Sequence, residues 1–173
     1  MKGQVGATKS DGGLISAESA TVYVLFSSPM EASSFSHVSN ADTAGGQFSG
    51  QLNNLLAKNK ELKNLQKSAR QNSQPDTADQ IAVVYLQSVD ESLARVRSWL
   101  TKHPERTWQM KAVAPDEQGF WSVEGLLPGG YEVVVRGKVS GYEADWEGSV
   151  DLAPGGTVSL PLTRPRFVRN KRN

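Results

Sequence analysis

The chain of 173 residues has no cysteine. Disulfides, thiolate metal sites and cysteine nucleophiles are therefore excluded, and the redox compartment stays open. Histidine is nearly as scarce: only His37 and His103 occur. They form no His-x-x-x-His or His–carboxylate spacing, which argues against a transition-metal site. Excess charge is missing too. Lys and Arg total 19 against 18 Asp and Glu, a net charge of +1, so no global field draws the chain to nucleic acid. No apolar run reaches the length of a membrane helix, and Met1-Lys2-Gly3-Gln4 lacks the apolar region of a signal peptide. The chain is thus read as cytoplasmic, or as one whose targeting segment is not in this sequence. Also lacking are a Gly-x-Ser-x-Gly elbow, a phosphate loop behind any Gly-Gly pair, and the alternating acids of a calcium loop. We expect no enzyme, no metal and no cofactor.

What the chain does have is short apolar alternation punctuated by Gly and Pro, the pattern of a small β-sandwich. Gln4 to Thr8 reads as a first strand, Ser10-Asp11-Gly12-Gly13 as a turn, and Thr21 to Phe26 as a β-branched and aromatic strand. Residues 27–46 show no period and read as a long loop. The period then becomes helical. Phe48, Leu52, Leu55, Leu56, Leu62, Leu65 and Ala69 form a thin stripe, interrupted by Asn59 and Gln66. Pro75 follows a break, with Asp76 or Thr77 as the expected cap. A wider stripe comprises Ile81, Val84, Tyr85, Val89, Leu93, Val96, Trp99 and Leu100, and Pro104 ends it. The short connector makes an antiparallel hairpin, with His103 placed to complement the helix dipole.

Strand character returns at Arg106–Val113 and, after a turn at 115–119, at Phe120–Val123. Tyr131, Val133 and Val135 alternate with Glu132 and Arg136, and Val158, Leu160 and Leu162 alternate the same way. Pro161 places that last strand at an edge, or turns position 161 away from the ladder. Five basic residues follow: Arg164, Arg166, Arg169, Lys171 and Arg172. Setting them aside leaves 14 of the 19 basic residues against 18 acidic ones. The segment reads as a solvated tail, with contact to membrane headgroups as the sharper alternative.

The run Gly119-x-Trp121-x-Val123-x-Gly125-Leu126-Leu127-Pro128-Gly129-Gly130-Tyr131-x-Val133 resembles the core motif of carboxypeptidase regulatory-like domains, within the transthyretin-like and Cna-B-like group. Gln118 precedes Gly119 where the family has its turn aspartate, and Asp116 lies two residues earlier. The histidines and the Tyr-Arg-Gly-Ser ending of the hydroxyisourate hydrolase lineage are absent. The resemblance implies a mainly β fold, a seven-stranded Greek-key β-sandwich of transthyretin (prealbumin-like) type. Its parts would be residues 1–27 and 105–163, with 28–104 an inserted loop and helical hairpin and 164–173 a basic tail. It further implies a non-catalytic module of a bacterial exported protein, periplasmic, envelope-associated or extracellular.

The inserted helices are too amphipathic for a mere connector, which suggests a protein partner or a homodimer through the insertion. A membrane would be reached only through a segment not in this chain or through the basic tail. The alternative is carbohydrate binding by aromatics on the sheet. The candidate interaction surface comprises Trp108, Phe120, Tyr142 and Trp146, with Trp99 and Tyr85 on the second helix.

Overall fold

The β-branched and aromatic run from Thr21 lies in a long strand, Glu18–Ser28, since such side chains pack well on a pleated surface. The computed structural model describes residues 1–28, 57–58, 60–165 and 167–169. Most of the expected loop, 29–46 with His37, and the helical positions Phe48, Leu52, Leu55 and Leu56 lie outside the described residues. The chain divides into two compact units, one made of Met1–Ser34 with Thr107–Lys171 and the other of Phe35–Arg106.

The first unit is β-rich. In chain order its strands are β1 (Lys2–Gln4), β2 (Gly6–Thr8), β3 (Leu14–Ser16), β4 (Glu18–Ser28), β5 (Met110–Val113), β6 (Phe120–Ser122), β7 (Gly129–Val139), β8 (Tyr142–Leu152) and β9 (Phe167–Arg169). Five of them form one antiparallel sheet in the order β5-β4-β7-β8-β9. Its central hairpin turns on Ser140 and Gly141, both at positive φ (50° and 80°), the two-residue turn whose twist matches paired strands.

Residues 2–8 organise the other layer. β6 pairs with β1, and β3 pairs with β2. On the opposite side residues 158–163 run parallel to them. Lys2 N–H donates to the Val158 carbonyl (2.9 Å), while Leu160 and Leu162 N–H donate to the carbonyls of Lys2 and Gln4 (2.9 and 2.7 Å). Gly6 N–H then donates to the Leu162 carbonyl (3.1 Å). Because 160 and 162 donate inward, the nitrogen of Pro161 faces away from the ladder, where a missing N–H costs nothing.

Period-two alternation sends one face of each layer into a shared core. Val22, Val24, Phe26, Tyr131, Val133, Val135, Ala144 and Trp146 enter it from the five-stranded sheet, and Val5, Trp121 and Leu162 from the other layer. Trp146 Nε1–H donates to the Gly6 carbonyl (2.7 Å), a buried bond that ties the two layers together. Phe26 packs edge-on against both Trp108 and Tyr131, at 5.1 and 5.4 Å between ring centroids.

Two local expectations change here. Residues Pro104–Gln109 form 3-10 turns rather than strand, so pairing begins only at Met110. Pro104 fixes φ just past the helix, and Arg106 N–H closes back on the His103 carbonyl (2.9 Å). The basic segment is not all tail, since Phe167–Arg169 pairs with Glu143–Asp145 of β8. A strand-forming Phe-Val pair among the arginines covers an edge that β8 would otherwise leave open.

The second unit contains helix α1, described over 57–58 and 60–71, and helix α2 (Pro75–Lys102). Ser73 sits in the left-handed region (φ 55°). Its N–H donates to the Arg70 carbonyl (3.2 Å) and Gln74 N–H to the Ala69 carbonyl (2.9 Å), a Schellman ending with serine in the glycine position. Gln74, not Asp76 or Thr77, is the N-cap of α2, with no side-chain cap bond. Pro75, which needs no N–H there, opens the helix, and Asp76 stands in its first turn.

The buried apolar row of α2 is Ala78, Ala82, Tyr85, Leu86, Val89, Leu93, Val96, Trp99 and Leu100, with Ser88 buried beside it. Among the described residues of α1 the buried positions are Gln66 and Ala69, and Gln66 Nε2–H reaches the Ala78 carbonyl (3.4 Å). Leu65 and Val84, expected inside the stripes, are instead exposed. The inward row of each helix runs one position away from them. At the end of α2, His103 Nδ1 donates to the Trp99 carbonyl (2.9 Å), and its ring stacks on Trp99 (4.2 Å, 18°).

Candidate functional site

The six aromatic candidates do not form one surface. Tyr85 and Trp146 are fully buried, and Trp99 is 9% exposed against His103. Trp108 is half-buried on Phe26. An aromatic platform including Trp146 is therefore ruled out: its indole is committed to the core and to Gly6. Phe120 (50%) and Tyr142 (40%) remain exposed, on strands of different layers.

Phe120 lies in a cleft and Tyr142 at a hairpin end. In β6 the burial alternates, so Trp121 faces the core while Phe120 and Ser122 face outward. Their register partners in β1, Gln4 and Lys2, face the same way. Ser159, bridged to Lys2, and Pro161 extend this face on the far side. Together with Gly3, Trp121 and Asp116 they line an open cleft of about 540 Å³. Two glycines make it possible. A Cβ at Gly3 would meet the Leu160 carbonyl and lie 2.6 Å from the Trp121 ring, so this strand can lie on the indole only without a side chain. Gly119 has φ 82° and packs directly on the Val5 carbonyl.

Asp116 shapes the rim. Its Oδ1 accepts from the amides of Gln118 (2.9 Å) and Phe120 (2.8 Å), and Gly119 N–H donates to the Asp116 carbonyl (2.9 Å). This is an Asx turn, in which the Asp116 side chain holds the loop that leads into β6. Gln4 Nε2–H donates to the Gln118 carbonyl (3.1 Å), tying β1 to the same turn.

On the helical unit, Leu65 of α1 and Val84 of α2 are each 49% exposed. Among the described residues no group of three His, Asp or Glu side chains could hold a metal ion, and no helix is long and apolar enough to cross a membrane. Comparison with protein-family models, curated proteins and solved structures finds no match to this chain.

Lys2, Gln4, Ser122, Ser159 and Pro161 escape a reading that seeks aromatics and acids. The signal was present as alternation. Each is the outward partner of a core-facing neighbour, but only the register brings the three segments side by side. Leu65 and Val84 fit the helical period but lie on the exposed side of their helices.

Proposed function

We propose that the chain is a non-catalytic interaction module, with the helical unit as its protein-binding surface. The observation that carries this reading is the exposure of Leu65 and Val84 on helices whose inward rows are already filled. Large aliphatic side chains left outside a filled row keep apolar area in water that a partner would recover. The partner that can be tested directly is a second copy of the chain.

In this reading the β unit is a seven-stranded Greek-key sandwich of the carboxypeptidase regulatory-like, transthyretin-like type, and its exported or envelope-associated setting follows from that resemblance. Two features support it: the Gly119–Val133 motif lies on paired strands and tight turns, and two layers share one core. Two polar groups of that core serve the architecture, Trp146 Nε1 on Gly6 and the Tyr131 hydroxyl on Leu127. Sedimentation velocity over a wide concentration range should show reversible self-association. Leu65→Glu and Val84→Glu should each weaken it about tenfold or more. A strictly monomeric chain, or an association indifferent to both substitutions, discards the reading.

A further inference from the structure

The outer face of the smaller β layer surrounds one half-exposed ring with polar groups that the fold leaves idle. We infer that the cleft over Lys2, Gln4, Phe120, Ser122, Ser159 and Pro161 binds a neutral oligosaccharide. The site is distinct from the helical surface proposed above, and its test has a separate readout.

Four observations carry the inference. Phe120 stands 50% exposed in an open cleft, where the apolar C–H face of a sugar ring can cover it, and Pro161 lines the same cleft from the far side of β1. The cleft of about 540 Å³ falls in the range of small-ligand sites, roughly 300–1,000 Å³. Its polar chemistry matches hydroxyl groups, which both donate and accept. Ser122 and Ser159 offer hydroxyls, Lys2 a donor, and Gln4 Oε1 and Asp116 Oδ2 acceptors. Within the described residues the side chains of Lys2, Ser122 and Ser159 make no hydrogen bond or ion pair, and Gln4 and Asp116 use only Nε2 and Oδ1.

Charge narrows the ligand class. The lining holds one cation and one anion, Lys2 and Asp116, so nothing in it selects a phosphate or a polyanion. An extended peptide is a poorer fit, because peptides added to a sheet pair with a strand edge, whereas this cleft lies over the face of paired strands.

The test is a ¹H–¹⁵N correlation titration of the intact chain with soluble cello-, xylo-, manno- and chito-oligosaccharides, run beside a proline-rich peptide. At least one saccharide should shift the amides of Lys2–Gln4, Asp116–Ser122 and Ser159. Phe120→Ala should weaken that binding about tenfold. Ser122→Trp, which fills the cleft from an exposed position, should abolish it, while Tyr142→Ala leaves it unchanged. The same spectra report whether each variant is folded. The inference is overturned by shifts with no saccharide, by shifts outside the cleft, by shifts with the peptide alone, or by a folded Phe120→Ala that binds as tightly as the parent.

Discussion

Tyr131 lies near the end of the Gly119–Val133 run, and its environment has a measurable consequence. The side chain is 2% exposed, meets Phe26 edge-on, and donates its hydroxyl to the Leu127 carbonyl (2.6 Å), closing the Leu126–Gly130 loop onto β7. Burial pushes its phenol up from 10.0 to about 12. In the unfolded chain the phenol ionises near its ordinary value while the folded chain keeps the proton. Between about pH 10 and 12 the unfolded state therefore binds fewer protons, and stability from this group falls as pH rises. Below about pH 10 that contribution is fully present. Tyr131→Phe should cost about 1 kcal/mol at neutral pH through the lost hydrogen bond. In urea unfolding its deficit relative to the parent should shrink between about pH 10 and 12; a deficit that stays constant across this window would mean the fold does not hold the proton. At this scale the sequence was informative about the core, because Trp121, Val123, Tyr131 and Val133 alternate on one face of paired strands. It was poor at telling Trp146 from Phe120. Exposure there depends on which strand crosses above the ring, and that strand is more than a hundred residues away from Trp146.

Among the elements, the join between the two helices carries a conformational cost. Ser73 takes the left-handed position of a Schellman ending, where a Cβ crowds the backbone and glycine is the favoured residue. The Ser73 side chain is exposed, so a replacement loses no packing. Ser73→Gly should stabilise the chain by about 0.5–1 kcal/mol, read as a rise in the urea midpoint without a change of slope. Ser73→Val should lower it, since a β-branched residue suits that region worst. If both leave the midpoint unmoved, α1 does not end as described. The helical period was legible, but its phase was not. Ala78 and Ala82 are buried yet add little to an apolar stripe, and the buried Gln66 reads as an interruption although its amide reaches Ala78. With those signals muted, Leu65 and Val84 pull each stripe one position aside. Chemistry specific to helix ends was equally hard to read, because Gln74 caps α2 by backbone alone.

Across the molecule, the β unit is closed by pairing segments from opposite ends of the chain. Residues 2–8 lie between β6 and β3 on one side and residues 158–163 on the other, in a parallel run that no local turn could produce. Such long-range pairing is the least legible part of a sequence, because only loop closure over the whole chain reveals it. The alternation of Val158, Leu160 and Leu162 announced a strand without naming its neighbour. Pro161 and Leu162 now separate backbone from side-chain effects at that closure. Leu162 is 7% exposed, donates its N–H to Gln4, and accepts from Gly6. Pro161 is exposed and its nitrogen points off the ladder. Leu162→Ala removes packing alone and should cost roughly 2–4 kcal/mol. Leu162→Pro also removes the donor and strands the Gln4 carbonyl, so it should cost about 1–3 kcal/mol more, or prevent folding altogether. Pro161→Ala should change stability by no more than about 0.5 kcal/mol. Equilibrium urea unfolding of the three variants decides it. If Leu162→Pro is no worse than Leu162→Ala, the parallel run is not what holds the two ends of the chain together, and the face formed by Lys2, Gln4, Ser159 and Pro161 loses its footing with it.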